Sequence, residues 1–266
     1  MDVDLSAADV RGALDSARAR GSTRVIITGG EPTLCRDLVA HIAYARAIGF
    51  QETELQTNAV LLDRPGAAQA LADAGLTSAQ VSLHGPRAEI SDRLTAAPGT
   101  HARTLGGIEA LLAANVRVLL NHLVFVDNVP LLGEFVDLVV ARYGPYKDRL
   151  IVQFHSPRNE FTTREEGLRN VPRYSTYAVP LRQAIDRATA AGLHVHDLQD
   201  PTGIPALCVL GADERYLGTI VAQRERPRFH EWESGWLTHV PACAGCDLRA
   251  ACMGIPKQYL ALHGDE

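Results

Sequence analysis

The feature that most constrains this chain is a regular alternation between short apolar segments and longer amphipathic ones. The apolar segments predict strands at residues 24–28, 52–57, 78–83, 116–125 and 150–154, and the amphipathic ones predict helices at 37–48, 66–74, 104–114 and 131–143. Strands separated by helices in this way form right-handed βαβ crossovers, so the sheet should be parallel. The pattern therefore predicts an α/β fold, either an open doubly wound sheet or a barrel.

Three further elements flank this alternation. A helix is predicted at residues 7–20, because Ser6 is a good N-cap and apolar residues recur along one face. Residues 177–191 are predicted to form the last helix of the sheet-and-helix domain, followed by a short strand at 194–197. We expect this domain to occupy residues 1–192 and a smaller cysteine-rich domain to occupy residues 193–266.

Composition excludes several classes of protein. The chain has 266 residues and a formal net charge of -5, which argues against binding to nucleic acid or to an anionic membrane surface. No apolar run is long enough for a membrane span, and the N-terminal residues lack an apolar signal segment. The five cysteines are an odd number in a chain without an export signal, so we expect a cytoplasmic location.

Polar residues or glycines follow every predicted strand at the point where it ends. These positions are Gly29–Glu31, Gln56–Asn58, Ser82–Gly85, Asn121–His122 and Gln153–His155. In a parallel barrel the functional groups collect at the carboxyl ends of the strands. Five polar ends converging on one mouth predict a site for a polar ligand. No segment matches a P-loop or a GxGxxG turn, so a nucleotide held by its phosphates is not indicated.

Four of these segments resemble successive strand motifs of the radical S-adenosylmethionine (SAM) enzymes. They are TGGEPTL at 28–34, LQTNAVLL at 55–62, VSLHGP at 81–86 and TLGGIEALLAANVRVLLNHLVF at 104–125. The resemblance covers about residues 5–155 and implies a partial (β/α)6 TIM-like barrel that lacks its first strand. It also implies SAM as a cofactor and a 5'-deoxyadenosyl radical, formed when a reduced [4Fe-4S] cluster passes an electron to the SAM sulfonium.

The resemblance implies a role for particular residues in binding SAM. Gly29, Gly30 and Glu31, followed by Pro32, would hold the amino group of the methionine moiety, with Glu31 in a charge-assisted hydrogen bond. The other implied SAM contacts come from later strand ends, with the ribose or carboxylate near Ser82 and His84, and the ribose or adenine near Asn121. Asn58 and His155 complete the implied set.

The chain departs from the family in one respect. The family holds its catalytic cluster with a CxxxCxxC motif after the first strand, and no such triplet occurs in this sequence. We expect that the natural protein is longer at its N-terminus, and that the SAM-binding [4Fe-4S] cluster belongs to that longer form. The alternative is a family member that has lost its radical chemistry. In either case the chain as written should not cleave SAM reductively.

Four cysteines lie in the last quarter of the chain, at Cys208, Cys243, Cys246 and Cys252. A CxxC pair with two further cysteines can hold one zinc ion or one iron-sulfur cluster. The spacing resembles the auxiliary SPASM or twitch domains of radical SAM maturases, which favours one auxiliary [4Fe-4S] cluster, with zinc as the alternative. A redox disulfide between Cys243 and Cys246 is a third interpretation. Cys35 is expected to be a small buried side chain.

The resemblance to the auxiliary-cluster branch implies an enzyme that modifies a peptide or a peptide-like natural product. It also implies a reductant such as flavodoxin or ferredoxin as a partner. Two alternatives remain open, namely a non-catalytic protein that keeps the SAM fold for binding or scaffolding, and a zinc-stabilised barrel enzyme.

Overall fold

The computed structural model describes residues 5–157, 161–195, 206, 208–211, 236–250, 252 and 254–265. Six strands form one sheet in the order of the chain, β1 to β6. They are β1 (Arg24–Ile27), β2 (Glu52–Thr57), β3 (Ser78–Ser82), β4 (Arg117–Leu123), β5 (Leu150–His155) and β6 (His194–Val195). Two short strands, β7 (Leu237–Thr238) and β8 (Ile255–Pro256), pair antiparallel in a separate sheet.

Nine α-helices are present in the described ranges. They are α1 (Ala7–Ala19), α2 (Leu38–Ala47), α3 (Ala67–Ala74), α4 (Ala88–Thr95), α5 (His101–Ala113), α6 (Leu132–Tyr143), α7 (Arg164–Asn170), α8 (Tyr174–Ala190) and α9 (Lys257–His263). None of the helices in these ranges is long and apolar enough to cross a membrane.

The register of the first four strands explains why one face of the sheet is apolar and the other polar. The pairs β1–β2, β2–β3 and β3–β4 are parallel, and Leu55 lies beside Ala79, which lies beside Val118. These three side chains are fully buried. Because successive side chains of a strand point to opposite faces, the residues one or three positions further along each strand share the other face. That face carries Gln56 beside Gln80, and Ser82 beside Asn121.

The chain divides into two compact units, which we describe separately. The first comprises Met1–Leu83, Arg87–Asn121 and Tyr143–Ile151, and the second comprises His84–Pro86, His122–Arg142 and Val152–Glu266. In the first unit Ile42, Leu55, Ile108 and Leu111 are fully buried. In the second unit Phe135 and Phe154 pack edge-to-face beside the buried ring of His122. The predicted domain boundary at residue 192 stays a prediction.

The α/β class with a parallel sheet is confirmed, and the predicted elements match closely. The strand at Glu52–Thr57 was predicted to the residue, and the others differ by one to three residues at their ends. Ser6 caps α1 as predicted, and the Asp9 carboxylate accepts from the Ser6 amide at 3.0 Å, which completes a capping box. Residues 196 and 197 of the predicted last strand lie outside the described residues.

Candidate functional site

The turn after β1 is shaped by two glycines in left-handed backbone conformations. Gly29 has a φ of 101° and Gly30 a φ of 46°. A Cβ atom built on either residue would meet nothing within 4 Å, so the space beside this backbone is open. Glycine adopts such angles without steric cost and lets a ligand approach the main chain closely. The turn can therefore receive a ligand directly against its peptide groups.

Glu31 accepts four hydrogen bonds, two from its own loop and two from the end of the neighbouring strand. Its Oε1 accepts from the Thr33 amide at 3.0 Å, from the Thr33 hydroxyl at 2.6 Å and from the Thr57 hydroxyl at 2.6 Å. Its Oε2 accepts from the Asn58 amide at 2.8 Å. We call these contacts the Glu31 clamp. The carboxylate therefore mainly positions the turn, and its Oε2 atom can still accept one further hydrogen bond.

Pro32 and Asn58 complete the geometry around the clamp. Pro32 is buried and begins a 3₁₀ turn, Pro32–Leu34, whose N-cap is Glu31. The side-chain oxygen of Asn58 accepts from the Val60 amide at 2.9 Å, which forms an Asx turn at the end of β2. Asn58 therefore supports the loop in the structure, and its predicted contact with SAM stays a prediction.

A chain of hydrogen bonds crosses the polar face of the sheet below the turn. The Thr28 hydroxyl donates to Gln56 Oε1 at 2.8 Å, and Gln56 Nε2 donates to Gln80 Oε1 at 2.8 Å. The amide hydrogens of Gln80 are not used in this ladder. The ladder satisfies polar side chains on three adjacent strands while leaving donors available to a ligand.

Asn121 presents an acceptor without a partner at the end of the next strand. Its Oδ1 is buried and has no hydrogen-bond partner among the described residues, and its neighbour in register is Ser82. A buried carbonyl oxygen left unpaired is costly, so such an atom points to a missing donor. A hydroxyl or amino group of a bound ligand would supply that donor.

His84 belongs to the second unit, where its ring and its carbonyl group each accept a hydrogen bond. Its Nδ1 accepts from the Leu123 amide at 3.2 Å, and its carbonyl oxygen accepts from Asn128 Nδ2 at 2.8 Å. Burial lowers the pKa of His84 to about 4. The imidazole is therefore neutral near pH 7 with its proton on Nε2, and a role in binding SAM would have to use that N–H group.

The predicted SAM residues thus fall into two groups. Gly29, Gly30, Glu31, Asn58, Ser82 and Asn121 lie at the carboxyl ends of four consecutive parallel strands within the first unit. His84 and His155 lie in the second unit, where the carbonyl oxygen of His155 accepts from the Val124 amide at 2.7 Å. Thr33 and Gln80 are site residues that the sequence analysis did not name. The period-2 alternation of β3 places Gln80 on the same face as Ser82 and could have identified it.

The C-terminal cysteines lie in the second unit, where Cys243 belongs to a 3₁₀ turn, Pro241–Gly245, and Cys246 is its C-cap. The Cys246 amide donates to the Cys243 carbonyl at 3.3 Å, and the Gly254 amide donates to Cys252 Sγ at 3.4 Å. Burial, followed by the nearby Cys252 and Cys243, raises the pKa of Cys208. No group of three His, Cys, Asp or Glu residues in the described ranges converges closely enough to hold a metal ion.

The predicted metal set therefore stays a prediction. The expectation that Cys35 is buried is wrong. Its side chain is exposed, not buried, because it follows the 3₁₀ turn on the outer side of the loop before α2.

A sequence model of the Radical SAM superfamily matches residues 2–139, which is more than half of the chain. The chain belongs to the radical SAM superfamily. It is 35% identical over 138 residues to the PqqA peptide cyclase of Rhodopseudomonas palustris, an alignment that covers 52% of this chain and 36% of the cyclase. The chain spans about a third of the length of the first curated relatives that it matches.

Two solved structures share the fold. Native anSMEcpe with bound AdoMet superposes with a TM-score of 0.63 at 16% sequence identity, over 98% of this chain and 83% of that one. Streptococcus suis SuiB bound to precursor peptide SuiA gives a TM-score of 0.54 at 18% identity, over 73% of this chain and 43% of SuiB. At these identities the likeness establishes the fold alone.

Proposed function

We propose that this chain is the SAM-binding barrel of a radical SAM enzyme that modifies a peptide or a peptide-like natural product. The observation that carries the proposal is the open glycine turn after β1, held in place by the Glu31 clamp. Superfamily membership supports SAM as the ligand of this turn.

The residues present fit SAM in two respects. The open space beside Gly29 and Gly30 admits the methionine moiety against the backbone, and Oε2 of Glu31 can accept from its ammonium. The unpaired Oδ1 of Asn121 can accept from a ribose hydroxyl or from the adenine amino group. Ser82, adjacent in register, offers a hydroxyl to the same part of the ligand.

In this proposal the residues of the chain bind and orient, and the cofactor supplies the radical chemistry. When bound, SAM and a reduced iron-sulfur cluster would together supply the radical that acts on the substrate. The residues of this chain do not fit that cluster, because CxxxCxxC does not occur among its 266 residues. We therefore assign no step to it here and propose that its ligands come from a longer form of the protein.

Peptide modification is supported by the relatives. One is a cyclase of the PqqA peptide, and SuiB has been captured with its precursor peptide SuiA. The polar ladder from Thr28 to Gln80 offers hydrogen-bonding groups suited to peptide amides. A flavodoxin or ferredoxin would supply the electron.

We further propose that Cys208, Cys243, Cys246 and Cys252 close around one auxiliary [4Fe-4S] cluster, with zinc as the alternative occupant. The amide-to-sulfur hydrogen bond at Cys252 is of the kind that stabilises a thiolate ligand. Quantitation of iron, acid-labile sulfide and zinc in anaerobically purified protein decides between the two. Colourless protein with stoichiometric zinc would exclude the cluster.

The experiment that tests SAM binding uses a matched pair of glycine substitutions. Gly30→Ala places a methyl group in the open space of the turn, and Gly21→Ala places one in equally open space at the end of α1. Both positions have positive φ, at 46° and 85°, so both variants carry backbone strain. We expect at least about a tenfold loss of SAM affinity by calorimetry for Gly30→Ala only. Equal affinities in the two variants would refute the placement.

A further inference from the structure

Helix α5 contacts the loop of the candidate site although none of its residues is among the predicted SAM contacts. At Gly107 the helix backbone lies directly against the Asn58–Ala59 turn. A Cβ built on Gly107 would overlap the carbonyl oxygen of Ala59 and lie 3.0 Å from its carbonyl carbon. Only glycine permits this approach without a shift of the helix or the turn.

Two polar contacts hold the same helix and turn together. The Thr104 hydroxyl donates to the Asn58 carbonyl at 3.0 Å. Arg103 forms a two-pronged ion pair with Asp63, with distances of 3.0 Å and 3.2 Å. Asp63 ends the 3₁₀ turn Val60–Asp63, which begins directly after Ala59. The helix therefore contacts both ends of one short loop.

The turn itself needs outside support. Ala59 is fully buried and has a φ of 58°, a left-handed conformation that an alanine adopts at a cost. Its amide donates to the Thr57 hydroxyl at 3.0 Å, and that hydroxyl donates to Glu31 at 2.6 Å. A displacement of the turn would therefore reach Glu31 through Thr57, and also through the Asn58 amide.

We infer that Thr104 and Gly107 are positioning residues that set the Asn58–Ala59 turn and, through it, the Glu31 clamp and the glycine turn. The inference rests on the proposed function where it concerns SAM. The coupling between α5 and the clamp is a property of the ligand-free protein and can be measured without SAM.

The first measurement is amide hydrogen exchange in the free protein. Gly107→Ala should speed exchange of the Asn58 and Thr33 amides at least about tenfold, because their acceptor Glu31 is displaced. Gly106→Ala is the control, since a Cβ there would make an ordinary contact of 3.4 Å with Asp63. The β4 amides report global stability and should exchange at wild-type rates in both variants.

A second pair of variants, at Thr104, tests the same coupling if Gly107→Ala does not fold. Thr104→Val removes the hydroxyl at nearly constant volume, whereas Thr104→Ser retains it. We expect faster exchange at Asn58 in the valine variant and wild-type exchange in the serine variant. Unchanged exchange at Asn58 in both Thr104→Val and Gly107→Ala would overturn the inference.

SAM titrations of the same proteins separate the two hypotheses. We expect affinity to fall about tenfold in Gly107→Ala and Thr104→Val, and to stay unchanged in Gly106→Ala and Thr104→Ser. If the wild-type protein does not bind SAM but the exchange pattern is as expected, the coupling stands and the proposed function fails. If SAM binds equally to all variants although exchange at Asn58 is altered, the positioning role for SAM is refuted.

Discussion

Replacing Glu31 by glutamine isolates the contribution of the clamp to stability. A carboxylate can accept at both oxygens, but the glutamine amide accepts at one and donates at the other. Its oxygen can keep the three bonds now made to Oε1, from the amide and hydroxyl of Thr33 and the hydroxyl of Thr57. Its NH₂ group then faces the Asn58 amide, which now donates to Oε2 at 2.8 Å. The variant therefore loses one charge-assisted hydrogen bond, and two donors, its NH₂ group and the Asn58 amide, face each other.

The magnitude follows from the nature of that bond. A hydrogen bond to a charged group contributes about 1.5–3 kcal/mol, and the three remaining bonds lose their charge assistance. Water can reach the exposed Asn58 and offsets part of the loss, so we expect a net destabilisation of about 2 kcal/mol. With a urea m-value of about 2 kcal/mol/M, the unfolding midpoint should fall by about 1 M.

Equilibrium urea unfolding measures this effect against a matched control. Glu52→Gln changes the same side chain on the same strand pair, but Glu52 is exposed and lies 3.7 Å from Arg24 in a surface ion pair. Such pairs contribute about 0–1 kcal/mol, so that variant should unfold close to wild type. If the midpoints of the two variants coincide, the clamp does not support the turn as the contacts suggest.

Other predictions concern the second unit and the chemistry. The pKa of His84, lowered by burial to about 4, lies below that of the unfolded chain, so the unfolded state alone gains a proton as pH falls from about 6.5 to 4. Stability should therefore fall by about 3 kcal/mol over that window, and His84→Gln should flatten this part of the pH profile in thermal unfolding. Asn128→Ala should cost about 3 kcal/mol by chemical denaturation, because this fully buried side chain bonds His84, Leu123 and Phe125 through their backbones. Tyr259→Phe should cost about 1 kcal/mol, since it removes the hydroxyl that accepts from the Tyr174 amide at the start of α8 but keeps the stacked rings. Finally, this chain with SAM and dithionite should yield no 5'-deoxyadenosine by chromatography, and its formation would contradict the assignment of the cluster ligands.

The fold was largely readable from the sequence because its strands are buried on one face and end at glycine or polar residues. Short apolar segments and the intervals between them predicted β1 to β5. Helices α4 and α7 were missed, since each spans at most eight residues and neither carries a long apolar stripe. Their stability comes from tertiary packing and capping, as at α7, where the Thr163 hydroxyl accepts from the Glu166 amide.

The site was readable as a set of residues but not as a set of contacts. Sequence resemblance assigned Glu31 to the ammonium of SAM, whereas most of its acceptor capacity serves Thr33, Thr57 and Asn58. The partners of Glu31 on β2 lie 26 and 27 positions away, so only the register of two parallel strands reveals them. The close approach of Gly107 to Ala59 is also hidden in the sequence, where a glycine inside a helix looks merely unfavourable.

Openness and rigidity at this site come from different residues, and this division has a physical cause. The glycine turn can receive a ligand because Gly29 and Gly30 lack side chains, but the same lack leaves them no contacts of their own for holding a left-handed backbone. Neighbouring residues must therefore hold the glycine turn in its conformation. Glu31 holds the loop in place through its hydrogen bonds to the end of β2, and α5 holds the end of β2 through the Thr104 hydroxyl. Substitutions in α5 should therefore change affinity at the turn without touching the ligand.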